Sequence, residues 1–255
     1  MPDPDSHASF GKINPDGDHG QENERDALLG PLRSAPRGRA FVVAQLGQSL
    51  DGRIATVSGE SRYINGRDAL DHLHRIRAHV DAVVVGVGTV LADDPQLTVR
   101  RCAGASPARV VIDPDGRLPA GMRCMGQDGP RRILVRRRAG PTPPGAEEIV
   151  IPCEGPIPPR QIVDALFSRG LGRMLIEGGA RTISHFIDSG CVDRLHVLVA
   201  PLIIGSGRTG LELRPEPDLT RALRPPARVH LFGDGDVLFD CDLAALRSVA
   251  GEGGP

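Results

Sequence analysis

An α/β domain, built on one mostly parallel sheet with an antiparallel edge, is predicted by three features of the sequence. Short apolar runs alternate with helix-patterned segments, several of those runs end in glycines, and the chain finishes on a hairpin signal. Alternation of this kind layers helices over both faces of a sheet. In such sheets ligands sit beyond the carboxyl ends of the strands.

Residues 1–39 are rich in Asp, Gly, Pro and Asn and poor in large apolar side chains. Such a segment buries too little surface to offset the entropy of ordering. It is expected to be a flexible tail with a short helical turn around Asn23–Leu29. Order is expected from Ala40, through residue 248, with 249–255 frayed. AFVVAQL reads as a buried strand, and Asp51-Gly52 as a turn between two strand-like pieces. Asn65 is placed to cap a helix running to about His79. Ala69, Leu70, Leu73, Ile76 and Val80 form its apolar stripe. AVVVGVG and SPARVVID are further strands. The stretch from 114 to 160 is irregular, with strand candidates in RRILV and EEIVI. Pro158 and Pro159 suit the first turn of QIVDALFSRG, which Gly170 closes. RMLIEGG is a strand running into glycines, followed by a helix from about Ala180 to Asp188. RLHVLVAPLIIG reads as one long strand. ARVHLFG and DVLFDCDL, split by Gly233-Asp234-Gly235, read as an antiparallel hairpin.

Composition narrows the function. At 255 residues with 40% hydrophobic content the chain can form a sizeable core. No apolar run is long enough to cross a bilayer, and no signal pattern opens the chain, so a cytoplasmic protein is expected. A net charge of −1, no Trp and one Tyr argue against nucleic acid as a partner. Five cysteines without a CxxC pair read as reduced thiols. Lys12 is the only lysine and falls in the expected tail, so chemistry that needs a lysine amine in the folded body is excluded. His72, His74 and His79 share one helix at spacings of two, five and seven residues, and no metal site is assigned. No GxSxG elbow is present.

Two stretches carry the chemistry. In EGGARTIS, Gly178 and Gly179 open a helix whose first turns hold Arg181, Thr182 and Ser184. Its unpaired N–H groups and positive dipole end suit a pyrophosphate, although the glycines can equally serve close packing. GVGTVLADDPQLTVR places Thr89 at a helix start but lacks the last glycine of a dinucleotide fingerprint. It then supplies Asp93, Asp94 and Arg100. Arg77, Arg100 and Arg101 are suited to forked contacts with a phosphate, a solvated face being the alternative for each. The two stretches are expected to face each other across one cleft.

SLDGRIA, SGESRYI, LHRIRAHVDAVVVGVGTVLADDPQLTVR, RVVID and LIEGGA, in that order, resemble the reductase domain of riboflavin-biosynthesis deaminase-reductases. The resemblance covers about residues 40–245. It implies a dihydrofolate-reductase-like three-layer fold, a homodimer, and NADPH-dependent reduction of a ribosylaminopyrimidine 5′-phosphate to its ribitylamino form. By position it implies substrate contacts from Ser61, Asn65, Arg77, Leu97, Arg100 and Glu177. The cofactor side would be Gly47, Tyr63, Thr89, Asp93, Gly178 and the run from Gly179 through Ala180, Arg181 and Thr182 to His185. Glu177, Gln45 and Asp94 are the candidate catalytic residues.

The chain departs from that family in three ways. A zinc deaminase signature is missing, since Pro152-Cys153 stands alone and little chain precedes Ala40, so deaminase activity is expected to be absent. The family's strand lysine is Gln45, an amide that hydrogen-bonds but supplies no charge. The family's tryptophan is Tyr63, and the hydroxyl residue that follows is Asn65. Two other readings stay open: a related reductase acting on another carbonyl or imine, and a nucleotide-binding module without chemistry.

Overall fold

The computed structural model describes residues 27–251. Eleven strands and six α-helices follow one another as α1 (Gly30–Arg33), β1 (Phe41–Ser49), β2 (Arg53–Thr56), α2 (Arg67–Arg77), β3 (Ala82–Gly86), α3 (Val87–Asp93), β4 (Ala108–Ile112), β5 (Arg132–Arg136), β6 (Glu147–Val150), α4 (Pro159–Phe167), β7 (Arg173–Glu177), α5 (Ala180–Asp188), β8 (Arg194–Ala200), β9 (Gly207–Thr209), β10 (Ala227–Leu231), β11 (Val237–Asp242) and α6 (Ala244–Gly251) among the described residues. Nine strands form one sheet in the order β10-β11-β8-β1-β7-β3-β4-β5-β6. Pairing is parallel from β8 to β6, and β11 runs antiparallel to both β8 and β10. This is the mostly parallel α/β sheet with a C-terminal antiparallel hairpin that the strand and helix pattern predicts.

The strands are apolar on both sides because both sides are covered. Val42, Ala44, Val84 and Ile176 pack with Ile162 and Leu166 of α4 and with Ile183 and Phe186 of α5. Phe41, Val43, Val83, Val85 and Leu175 pack on the other side with Ile76 of α2 and Val90 of α3. Return of the chain from β6 to β7 places β7 between β1 and β3. The carboxyl ends of these three strands therefore lie side by side, which is where candidate site residues gather.

Several expectations are corrected. Most of the expected tail (residues 1–26), and with it most of the helical turn at Asn23–Leu29, lies outside the described residues. Leu28, Leu29 and Leu32, however, are buried, so the packed body starts ahead of Ala40. Composition averaged over the whole segment hides three leucines, each worth roughly 1.5–3 kcal/mol when fully buried. Helix α2 is capped at Gly66, not Asn65, and no side chain of its own caps it. Aspartates of the distant hairpin replace the local cap: Gly66 N–H donates to Asp236 Oδ2 (2.8 Å), and Asp68 N–H to Asp234 Oδ2 (3.0 Å). On the same helix Leu70 is exposed, while His72 and His74 are buried. The long strand after residue 193 stops at Ala200, before Pro201. Gly207–Thr209 pairs instead with β2 in a separate two-stranded antiparallel sheet, so β2 does not extend the main sheet. Asp51 braces that turn by accepting the amides of Ile204 (3.1 Å) and Gly205 (2.7 Å).

Candidate active site

Strand register builds the floor of the site. Gln45 of β1 lies opposite Glu177 of β7 on one side and His196 of β8 on the other. Parallel neighbours in register point to the same face, here the face covered by α2. All three are buried. Arg77, at the last turn of α2, forks onto Glu177: Nε donates to Oε2 at 2.9 Å and Nη2 to Oε1 at 2.5 Å. Its Nη1 donates to the Thr98 carbonyl at 3.1 Å. The fork fixes the carboxylate at the strand end and neutralises it. Gln45 Oε1, in contrast, is buried and accepts no hydrogen bond among the described residues. A buried acceptor without a donor is costly, and here it sits beside the carboxylate that the family resemblance assigns to substrate.

The glycine turn after β7 meets the helix after β3. Gly179 N–H donates to Thr89 Oγ1 at 2.8 Å. Gly178 has φ +90, a conformation other residues adopt at a cost, and a Cβ there would stand 2.7 Å from Thr89. A Cβ at Gly86 would stand 2.5 Å from the Thr182 hydroxyl. Both glycines therefore serve close approach of the two turns. Beyond them α5 begins at Gly179 with no side-chain cap and no acidic residue in its first turn, which leaves its positive end open to an anion. Arg181 is exposed at that end and Thr182 half-buried.

Of the residues in the Asp93–Arg100 loop, Leu97 (φ 57) and Asp94 (φ 40) hold left-handed backbone, and so does Tyr63 (φ 66) in the loop ahead of α2. Such conformations cost on the order of 1–3 kcal/mol each and gather at ligand sites. Leu97 is 1% exposed and Tyr63 88% exposed, so burial accounts for the first and nothing among the described residues for the second. Asp94 ends α3, and its Oδ1 accepts the Arg123 amide at 2.8 Å. Through that oxygen the carboxylate clamps a loop. Asp93 is exposed, Ser61 is half-buried, and the Asn65 side chain lies against Gly47, where a Cβ would collide with it. Arg100 is exposed, with Nη1 on Thr98 Oγ1 (2.6 Å) and its amide donating to His74 Nδ1 (2.9 Å). Arg101 turns away onto Asp71 (2.5 Å).

Sequence reasoning missed two groups. The first is a buried chain beside Gln45. His196 Nε2 lies 3.1 Å from Asp240 Oδ1, and His196 Nδ1 lies 3.0 Å from His72 Nε2. The Asp240 carboxylate fixes the donors: His196 Nε2–H points to Asp240, and His72 Nε2–H to His196. Burial opposes ionisation of Asp240, but His196 and Arg194 outweigh it and hold the carboxyl at about 2. Burial, and after it the closeness of His196 and Arg75, depress His72 well below the usual imidazole range. The alternation of polar Arg194 and His196 within an apolar strand was a usable signal. The second is Arg123, in a Pro/Gly/Arg-rich stretch that carries no periodicity. Among the described residues no cluster of His, Cys, Asp and Glu is arranged to hold a metal, and no helix is long and apolar enough to cross a membrane.

Comparison with known proteins bears on family and fold. Residues 40–224 match the RibD C-terminal domain. A 2,5-diamino-6-ribosylamino-4(3H)-pyrimidinone 5′-phosphate reductase of Methanothermobacter thermautotrophicus is 34% identical over 174 residues, covering 66% of this chain and 80% of its own length. The riboflavin biosynthesis protein RibD of Aquifex aeolicus is 30% identical over 173 residues, which span 66% of this chain and 48% of that protein. The structure of a Thermotoga maritima diaminohydroxyphosphoribosylaminopyrimidine deaminase/5-amino-6-(5-phosphoribosylamino)uracil reductase superposes with a TM-score of 0.69 at 27% identity, over 87% of this chain and 62% of that one. From its sequence match over most of its length and from the agreement in fold, the chain belongs to the RibD C-terminal domain family.

Proposed function

We propose that this protein reduces 5-amino-6-(5-phosphoribosylamino)uracil, or the related diaminopyrimidine ribosyl phosphate, to the ribitylamino phosphate with NADPH. The observation that carries the reading is the Thr89–Gly179 hydrogen bond, which joins the start of α5 to α3 beside the Glu177–Arg77 pair. That junction supports a single crevice with an anion-binding helix end along one wall and a fixed carboxylate along the other. The nicotinamide cofactor would be held by Thr89, Asp93, Tyr63 and the turn from Gly178 to Thr182, and when bound it supplies a hydride. The chain's own residues orient and polarise. Glu177, neutralised and held by Arg77, accepts N–H groups of the pyrimidine. Gln45 Oε1 accepts a hydroxyl of the sugar, which satisfies its buried lone pairs. No lysine lies among the described residues, so a lysine ammonium does not supply the proton; water or the substrate can.

A second reading has one observation in its favour. The neutral, unsatisfied Gln45 also suits reduction of a different carbonyl or imine by the same cofactor. Oxidation of NADPH, followed by nicotinamide absorbance with the pyrimidine phosphate as substrate, separates the two. Turnover supports the first; cofactor binding without turnover supports the second. The reading also places the protein in the cytoplasm as a homodimer. An exposed apolar face on β10 and β11, with Val229, Leu231 and Phe239, supports the dimer.

A further inference from the structure

Arg77 and Arg100 are the two arginines that the family resemblance assigns to the substrate phosphate, but the structure gives them unequal freedom. Arg77 is buried, forked onto Glu177 and bonded to the Thr98 carbonyl. Its guanidinium is occupied in holding the carboxylate. Arg100 is exposed, and its one side-chain bond among the described residues is to the Thr98 hydroxyl. One guanidinium is a weak grip on a phosphate dianion, which favours two or more forked donors.

A second guanidinium is supplied by a segment with no assigned role. Arg123 opens a single 3-10 turn, Arg123–Met125, and its amide is bound by Asp94 of the loop that also carries Arg100. Its side chain is exposed and makes no hydrogen bond or ion pair among the described residues. It is near enough to Arg100 that, after burial and Arg77, its charge is the next cause lowering the Arg100 pKa. The turn itself is held firmly. Arg109 of β4, 0% exposed, donates to the Cys124 carbonyl at 3.1 Å, and Arg132 of β5 donates to the Met125 carbonyl at 2.9 Å. Arg109 is itself paired with Asp128, which compensates its buried charge. Together the two arginines hold the turn, and with it the Arg123 backbone, at a fixed place.

We propose that Arg123 is the second guanidinium on the phosphate of the substrate, paired with Arg100, and that Arg77 serves the pyrimidine end through Glu177. Arg109 and Arg132 are positioning residues for that turn. The assignment rests on the reductase reading above, and it deepens that reading by naming what selects a phosphorylated substrate over its nucleoside.

The test uses the full chain and its Arg123→Gln variant, with Arg123→Lys as the conservative control. Calorimetric titration with ribose 5-phosphate and with ribose is run beside the NADPH-oxidation assay. Arg123→Gln is expected to weaken ribose 5-phosphate binding about tenfold, the loss of one charge-assisted contact, and to leave ribose unchanged. KM for the pyrimidine phosphate rises by a similar factor, kcat and the KM for NADPH hold, and Arg123→Lys recovers much of the loss. Equal ribose 5-phosphate affinity in the variant and the parent overturns the assignment. A rise confined to the NADPH KM does so too, by placing Arg123 on the cofactor. If the parent binds ribose 5-phosphate but turns over no pyrimidine, the reductase reading fails, and the titrations still decide Arg123.

Discussion

Replacing Glu177 by Gln changes one charge at the best-defined contact in the molecule, and the effect can be worked from the geometry. Both side chains of the Arg77–Glu177 pair are under a tenth exposed. Breaking a buried ion pair by removing one partner costs about 3–5 kcal/mol, chiefly because the remaining charge is left without compensation. Gln keeps one of the two acceptors of the fork, and Thr98 still holds Nη1, so roughly half of that cost is expected, about 2 kcal/mol. In a domain of this size each kcal/mol moves the melting midpoint by about 2–4 °C, which gives a fall of about 4–8 °C. Arg77→Met buries a lone carboxylate and is expected to cost about 4 kcal/mol. The double variant then loses less than the sum, with a coupling of about 2 kcal/mol. Urea unfolding of the parent, both single variants and the double variant measures all four corners. Strict additivity, or an Arg77→Met loss below about 0.5 kcal/mol, refutes the reasoning.

Two further outcomes are expected. His74 is lowered to about 4 by burial and by the charges of Arg77, Arg100 and Arg101. Because its folded pKa lies below its unfolded value near 6.5, the unfolded chain binds more protons between the two; stability is full above about 6.5 and falls by on the order of 3 kcal/mol as pH drops toward 4. His72 adds in the same direction. The urea midpoint measured across that range should therefore decline, His74→Asn should flatten part of the decline, and an unchanged midpoint contradicts the burial argument. Thr89→Val removes the acceptor of the Gly179 amide while keeping its shape. A stability loss of about 1 kcal/mol is expected, together with a several-fold weaker NADPH dissociation constant by fluorescence titration; undiminished cofactor affinity would mean that the turn does not face the cofactor.

Local rules made the strands and helices legible. Gly170, the Pro158-Pro159 pair and the apolar runs are signals that neighbours alone decide, and α4, α5 and β10–β11 fall where those signals place them, whereas the AVVVGVG strand stops at Gly86 and Val87–Asp93 is helical. What local rules miss is pairing across the chain. Arg77 and Glu177 were separately recognisable as polar residues at element ends, yet nothing in their spacing shows that they bind each other. The same holds for Asp94 and the Arg123 amide, and for His72, His196 and Asp240, which come from three elements. The helix start at Gly66 was misread for a related reason: its acceptors come from beyond residue 230, so the residue before it had no need to cap.

That long-range capping has a consequence for how the protein comes into being. The aspartates that close the N-terminus of α2 lie 170 and 166 positions further along the chain. During synthesis, the helix bearing His74 and Arg77 leaves the ribosome with its leading amides unmet, and they stay so until nearly the whole polypeptide has emerged. Contacts of this reach are closed late and slowly. A nascent chain halted before Asp234 would carry Gln45, Arg77, Thr89, Arg100 and Glu177 and still lack the fastening that sets the orientation of α2.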